Sequence, residues 1–468
     1  MTTTAGLDTS LTTPAGLDAG LTAPAAADTS SPRLDRIAFV AVGVLVLAIT
    51  WNGIRVFGGA SANGILVLAT IAVIAHVIAD RRPIPIPPWL LVAAGAMVIS
   101  ALIESVFPPS LDIQNRTVLS FIGQLASAGQ QATTLIPSRS NAAYLIKWEL
   151  GLLFIPILIG IVARNPWRIN RLLNLWTVSA VISALVGVLD VAGLHLAPHA
   201  IRGTRSAGLT IQANYLALTC VLAIPTALLW VGRSRRSTQA GLAATLILIG
   251  GEYATGSRDG FVSLAIALLG SVIFLPRLRR WASVVLPVFA VVAVALALTT
   301  NVGHSILKQF RLTGSTQSTY GSNYQRDVLR HVAEEQIANR PIAGYGFSVD
   351  NDAQSIYYQI LAAGGVITML GFVVFVGGLA SCVRRSLGGP LREPAIAIGV
   401  CVVVYLVNGY LDAQIADKYL YVLPGILFAC ARVTSILSAA RPPAGTTRPT
   451  APSPALEPVL LPRSPALR

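Results

Sequence analysis

Arginines that lie between apolar segments are the residues of this chain best suited to chemistry. Arg202 and Arg205 lie in the stretch HLAPHAIRGTRSAGLTIQAN, which contains no acidic residue, and Arg258 lies in TGSRDG. A guanidinium presents a planar fork of N–H donors that matches phosphate oxygens two at a time. These residues predict a phosphate or diphosphate site, with pairing to lipid headgroups or to nearby acidic residues as the alternative explanation.

Two further arginines, Arg326 and Arg330, lie in a long polar connection at 301–355 that balances five basic against five acidic residues. Because of that balance, pairing with Asp259, Glu334 or Glu335 is as good an explanation for them as substrate binding. Arg330 and Glu334 have the i,i+4 spacing that brings opposite charges together on a helix.

The composition shows what must position these arginines. Of the 468 residues, 54% are hydrophobic and only 12% are charged, whereas a soluble protein carries roughly a quarter charged residues. The apolar residues form runs close to the length that crosses a bilayer core of about 30 Å. We therefore predict an all-α polytopic membrane protein, and the net charge of +14 reflects loop arginines rather than nucleic-acid binding.

The apolar runs predict about twelve transmembrane helices. Their approximate bounds are 37–57, 63–79, 89–107, 142–162, 172–194, 211–231, 240–253, 261–275, 281–300, 356–383, 395–411 and 420–437. The seventh and eighth are the shortest.

The distribution of arginines predicts the orientation of these helices. If the N-terminus is cytoplasmic, every inner loop contains two or three arginines, as the positive-inside rule requires. We therefore expect both termini in the cytoplasm and the connection 301–355 on the outer face. Within that outer loop, residues 323–339 have the apolar spacing of an amphipathic helix, which Pro341 would end.

The two ends of the chain are too polar to bury a core. Residues 1–35 carry a TTTAGLD-like repeat and predict a disordered cytoplasmic tail, and residues 439–468 predict a proline-rich one. Between them, residues 36–438 form the predicted transmembrane domain. The four cysteines make no CxxC pair, and the five histidines show no metal-ligand spacing that stands out.

Three stretches together resemble the O-antigen ligase and polymerase family of bacterial envelope proteins. The first is RSAG at 205–208 followed by Asn214, and the second is TGSR at 255–258. The third is RPIAGYGF at 340–347, then DAQS at 352–355 and GVIT at 365–368. It resembles a signature in which a His and a small polar residue precede nine residues, a Gly, and a small or aromatic residue three further on.

The resemblance implies a glycosyltransferase of the bacterial cytoplasmic membrane that needs no metal or other cofactor. The donor would be a glycan on undecaprenyl diphosphate, and the acceptor a hydroxyl of a glycan, lipid or other molecule. A ligase hands the chain to a final acceptor, whereas a polymerase joins repeats. We predict catalytic roles for Arg205, Arg258, Asp352 and Gln354, and substrate binding by Arg202, Arg326, Arg330, Asp350 and Ser355.

The third motif departs from the family pattern at its most informative position, because Gln354 stands where the family has His. Glutamine can hydrogen-bond a hydroxyl but cannot act as a base. Asp352 or Asp350 could be the base instead, or the leaving diphosphate could need little help. The alternatives are a transporter or flippase for lipid-linked or small solutes, and an envelope partner without catalytic activity.

Overall fold

The computed structural model describes residues 32–56, 59–81, 83–107, 141–198, 205–279, 317–347 and 354–440. Residues Ser30–Ser435 form one compact unit, and the second unit, Met1–Thr29 with Ile436–Arg468, lies almost wholly outside the described residues. The predicted ninth span and most of both tails also lie outside them.

The described residues are almost entirely helical. The helices are α1 (Pro32–Ala48), α2 (Ser61–Asp80), α3 (Pro88–Val106), α4 (Asn141–Glu149), α5 (Ile155–Val162), α6 (Pro166–Leu189), α7 (Ala213–Leu228), α8 (Arg235–Thr255), α9 (Arg258–Phe274), α10 (Gln317–Asn339), α11 (Ile356–Ser386), α12 (Arg392–Asn408) and α13 (Val422–Ala439). One π-helical turn, Leu150–Phe154, joins α4 to α5, and another, Asp190–Leu194, follows α6.

Each predicted span within the described residues overlaps a helix, but the predicted bounds of the first span were wrong. We predicted 37–57, whereas α1 begins at Pro32 and ends at Ala48. The residues after it form a turn and a pair of two-residue antiparallel strands, Arg55–Val56 and Gly59–Ala60. The segment WNGIRVFGGA contains Asn and Gly, which favour turns over helix, and this explains the early end.

Six helical segments among the described residues are long and apolar enough to cross a membrane. They are Ala62–Asp80, Pro88–Val106, Ala142–Val162, Pro166–Leu194, Ile356–Ser386 and Lys418–Ala439, and Ala213–Leu228 is apolar but shorter. Large apolar side chains stay exposed along several of them, such as Leu68, Ile78 and Leu102. The protein is therefore a helical membrane protein whose lipid-facing surface is apolar.

A charged cluster holds together one end of the bundle, the end predicted to be cytoplasmic. Arg168 donates to both carboxylate oxygens of Asp35, and Arg164 donates to Asp80 over 2.9 Å. Hydrogen bonding from Arg168 lowers the pKa of Asp35, although partial burial of this carboxyl opposes the shift. The cluster ties the start of α1 and the end of α2 to the connection between α5 and α6.

Candidate functional site

The first two motifs are joined by the side chain of Arg205. Its Nε donates to the backbone oxygen of Thr255, the last residue of α8, over 2.6 Å. Its Nη2 donates to Oδ1 of Asn214, near the start of α7, over 3.2 Å. The backbone N–H of Ser206 donates to the oxygen of Ala254 over 2.9 Å. Arg205 is therefore fixed between the two helices, and its guanidinium has five donors with which to serve several acceptors.

The second motif forms a tight turn that places Arg258 at the start of a helix. Gly256 adopts a left-handed φ of +57°, and the Ser257 hydroxyl caps α9 by accepting from the N–H of Gly260. Arg258 is the first residue of α9 and is half-buried. The turn places Arg258 three residues after Thr255, whose carbonyl accepts from Arg205.

A buried acidic residue, Glu252, lies close to Arg205 and to the first turn of α9. Its side chain is fully buried on α8, and a Cβ added to Gly260 would overlap it, so it packs against the first turn of α9. Arg205 is close enough to interact with it electrostatically.

The amphipathic helix of the long connection is present as α10, and it begins six residues earlier than predicted, at Gln317. It ends at Asn339, ahead of Pro341 as expected. Arg326 on this helix donates to Oδ2 of Asp259 over 3.0 Å, so it pairs with the residue that follows Arg258.

One turn later, Arg330 joins α10 to α11. It donates to Oε1 of Glu334 over 3.1 Å, which confirms the predicted i,i+4 pair, and to the hydroxyl of Tyr358 over 2.9 Å. The hydrogen bond from His331 is the largest of several that lower the pKa of Glu334. A helical turn rises about 5.4 Å, so α10 brings the start of α9 and the start of α11 within about one turn of each other.

A second connection joins the same two helix starts through α12. Asn408, the last residue of α12, donates to the Ser263 hydroxyl on α9 over 3.0 Å. The next carbonyl, that of Gly409, accepts from the N–H of Ile356, the first residue of α11, over 2.7 Å. The three motifs are therefore gathered at one end of the bundle by contacts on two sides.

The RPIAGYGF part of the third motif is a structural brace. The helix α11 is broken at Gly365, whose φ of +60° and ψ of −161° are not helical. The N–H groups of Tyr345 and Gly346 donate to the carbonyls of Ala362 and Ala363, each over 2.8 Å, so the brace satisfies carbonyls before the break. Beyond it, the N–H groups of Val366 and Ile367 donate back to the brace.

The rest of the third motif begins α11. Gln354 has a left-handed φ of +54°, which is uncommon for a residue with a Cβ and is enriched at functional sites. Ser355 is the N-cap residue of α11, but its side chain makes no capping hydrogen bond. Arg202, Asp350 and Asp352 lie outside the described residues, so their predicted roles stay predictions.

Several residues of this region are not among those predicted from the sequence. Asn408 and Ser263 are polar residues at the end of, or within, apolar runs, and a polar residue there could have served as a signal. Gln359 follows Ser355 at a helical i,i+4 spacing and could have been found in the same way. Tyr358 gave no signal, because tyrosine is common at membrane interfaces.

A comparison with family models now identifies the region. Residues 243–373 match the model described as O-antigen ligase. The protein is a membrane protein with an O-antigen ligase domain at these residues. The matched segment includes Arg258, α10 and the broken start of α11, whereas Arg205 precedes it. A comparison with curated proteins found no match.

The match confirms the resemblance drawn from the three motifs, and it fits a part in envelope polysaccharide synthesis. The O-antigen ligase segment contains the second and third motifs and both arginine contacts of α10. Arg205, from outside that segment, reaches into it through the carbonyl of Thr255.

Proposed function

We propose that this protein is a glycosyltransferase that moves a polyprenyl-diphosphate-linked glycan onto a hydroxyl on the outer face of the bacterial cytoplasmic membrane. In this proposal both termini are cytoplasmic, and the reaction needs no metal. Arg205 and Arg258 bind the diphosphate and stabilise the charge that grows on it as it leaves. Preorganised donors of this kind are often worth several kcal/mol in the transition state.

The observation that carries the proposal is the anchoring of Arg205 across two motifs. Its bonds to Thr255 and Asn214 hold the guanidinium before any ligand arrives. Arg258 follows in the same turn, and Arg326 is held close by through Asp259. A cluster of arginines at the end of a lipid-facing bundle suits a ligand with a lipid tail and an anionic head.

The bond changes balance without a cofactor. The acceptor oxygen bonds to the anomeric carbon, the bond from that carbon to the diphosphate oxygen breaks, and the lipid diphosphate leaves with the bonding electrons. The proton of the acceptor hydroxyl goes to a carboxylate of Asp352 or Asp350, or to the leaving diphosphate, because Gln354 cannot accept it. Comparing Asp352→Asn with Asp350→Asn distinguishes these routes.

The deciding experiment measures the pool of lipid-linked glycans in a deletion strain. The strain is complemented with the wild type, with Arg205→Ala plus Arg258→Ala, or with the control Arg277→Ala. Arg277 pairs with Glu393 away from this cluster. We expect the wild type and the control to return the accumulated lipid-linked glycan to its normal level. The double variant should reach the membrane but leave the glycan accumulated.

The form of the accumulated glycan assigns the reaction. Long chains on the lipid carrier indicate a ligase, and single repeats indicate a polymerase. An unchanged pool, or rescue by the double variant, refutes the transferase. It then favours a flippase or the non-catalytic partner, and Gln354 in place of His is the observation that supports the latter.

A further inference from the structure

Two buried polar side chains, Ser355 and Gln359, lie at the start of α11. Ser355 is 4% exposed and Gln359 is 7% exposed. Among the residues that the structure describes, neither Oγ of Ser355 nor Oε1 of Gln359 has a hydrogen-bond partner. Leaving a buried polar atom unsatisfied destabilises a protein, so two such atoms at one place indicate that something else satisfies them.

The two side chains share one face of the helix because they are four residues apart. Their neighbours are engaged elsewhere: the Tyr357 hydroxyl donates to the carbonyl of Leu406, and the Tyr358 hydroxyl donates to Glu334. The N–H of Ile356, the first of the helix, is also taken, because it donates to the carbonyl of Gly409. The groups left for a ligand are therefore the Ser355 hydroxyl and the Gln359 amide oxygen.

This set of groups identifies the chemical class of the ligand. A helix start alone would favour an anion, but the Gln359 oxygen is an acceptor and needs a donor. A phosphate dianion offers none, whereas a sugar hydroxyl both donates and accepts. We propose that Ser355 and Gln359 bind neighbouring hydroxyls of a neutral acceptor saccharide, with Gln359 determining acceptor specificity. The inference rests on the proposed function and places the acceptor apart from the arginines that take the diphosphate.

The test uses two inhibitors that compete at different places. The purified full-length chain is placed in proteoliposomes with the lipid-linked glycan extracted from the deletion strain, and transfer is measured. One inhibitor is the same glycan freed of its lipid diphosphate by mild acid, and the other is inorganic pyrophosphate. We expect Gln359→Met to raise the inhibition constant of the free glycan at least tenfold and to leave that of pyrophosphate unchanged. Arg205→Lys should raise the inhibition constant of pyrophosphate and leave that of the free glycan unchanged.

A matched control separates this role from a structural one. Gln336 on α10 is also 7% exposed, but it has a partner within the protein. Gln336→Met should therefore leave both inhibition constants unchanged. Ser355→Ala removes no capping bond, so it should weaken inhibition by the free glycan without lowering the melting temperature, and it carries the test if Gln359→Met fails to fold.

Each remaining outcome decides between the two proposals. If the wild type transfers no glycan from the extract, the proposed function is refuted and the acceptor site with it. If the wild type is active and Gln359→Met weakens inhibition by pyrophosphate instead, the helix start binds phosphate and the inference alone is overturned. If neither constant changes, bound water satisfies the two groups, and the inference is overturned as well.

Discussion

The substitution Gly365→Ala tests whether the brace between RPIAGYGF and α11 holds the site together. Gly365 has φ +60° and ψ −161°, a backbone conformation that is essentially restricted to glycine. A Cβ at this position would overlap the carbonyl of Ile342. The brace would have to move away, and the start of α11 would lose its support.

The size of the effect follows from the contacts that would be lost. The backbone conformation costs a residue with a Cβ about 1–3 kcal/mol. The overlap also threatens the bonds from Val366 N to Pro341 O, 2.8 Å, and from Ile367 N to Ile342 O, 3.2 Å. Each buried group left unpaired costs about 1–3 kcal/mol, so we expect a total of roughly 3–9 kcal/mol. Since domains are stable by only about 5–15 kcal/mol, this is a large part of the total stability.

Thermal unfolding in detergent, followed by size-exclusion chromatography, provides the assay. At roughly 2–4 °C per kcal/mol for a larger domain, the variant should melt at least about 6 °C below the wild type. The control is Gly377→Ala on the same helix, where a Cβ would meet nothing within 4 Å. It should be neutral or slightly stabilising, because alanine favours helix by about 1 kcal/mol. A Gly365→Ala protein with the melting temperature of the wild type would refute the idea that the brace supports the start of α11.

Three further predictions concern contacts that hold the ends of the bundle. Arg326→Ala leaves the buried Asp259 without this ion pair, so transfer activity should fall. A double-mutant cycle with Asp259→Asn should show a coupling energy of about 0.5–3 kcal/mol, and additive effects of the two substitutions would contradict the pairing. The Ser100 hydroxyl on α3 lies 2.8 Å from the carbonyl oxygen of Ala343 and 2.9 Å from that of Gly364 and can donate to either. Ser100→Ala should therefore lower the melting temperature by the equivalent of about 1–3 kcal/mol. The pKa of Asp35 is lowered in the folded protein. Its ionised carboxylate therefore stabilises the fold at pH values above its ordinary pKa of about 4, and this stabilisation is lost as the pH falls through the lowered pKa. In Arg168→Ala the melting temperature should depend less on pH between about pH 6 and pH 3 than in the wild type. An unchanged dependence would contradict the stabilising role of this ion pair.

The sequence predicted much of the helix framework because the hydrophobic effect acts on runs of residues. A run of about twenty apolar residues has few alternatives to a membrane-spanning helix, so the predicted spans coincide with helices wherever the structure describes them. The end of α1 was wrong because Asn52 and Gly53 favour a turn inside a segment that is still apolar on average. Local chemistry outweighed hydropathy there.

The sequence also contained the chemistry of the site as three separated motifs. Arginine in TGSR and RSAG indicates phosphate binding by its donor geometry alone. The pair Arg330 and Glu334 could be predicted because both lie on one helix, where spacing fixes proximity.

What only the tertiary structure decided is which of these residues meet. Arg205 and Thr255 are 50 residues apart, Arg326 and Asp259 are 67 apart, and no local rule relates their positions. The break of α11 was also hidden, because a glycine in an apolar run does not reveal whether it bends the chain or only packs against a neighbour. Long-range contacts depend on how helices pack, which sequence spacing does not encode. The sequence therefore predicted candidate residues, and only the fold shows which of the described ones lie together.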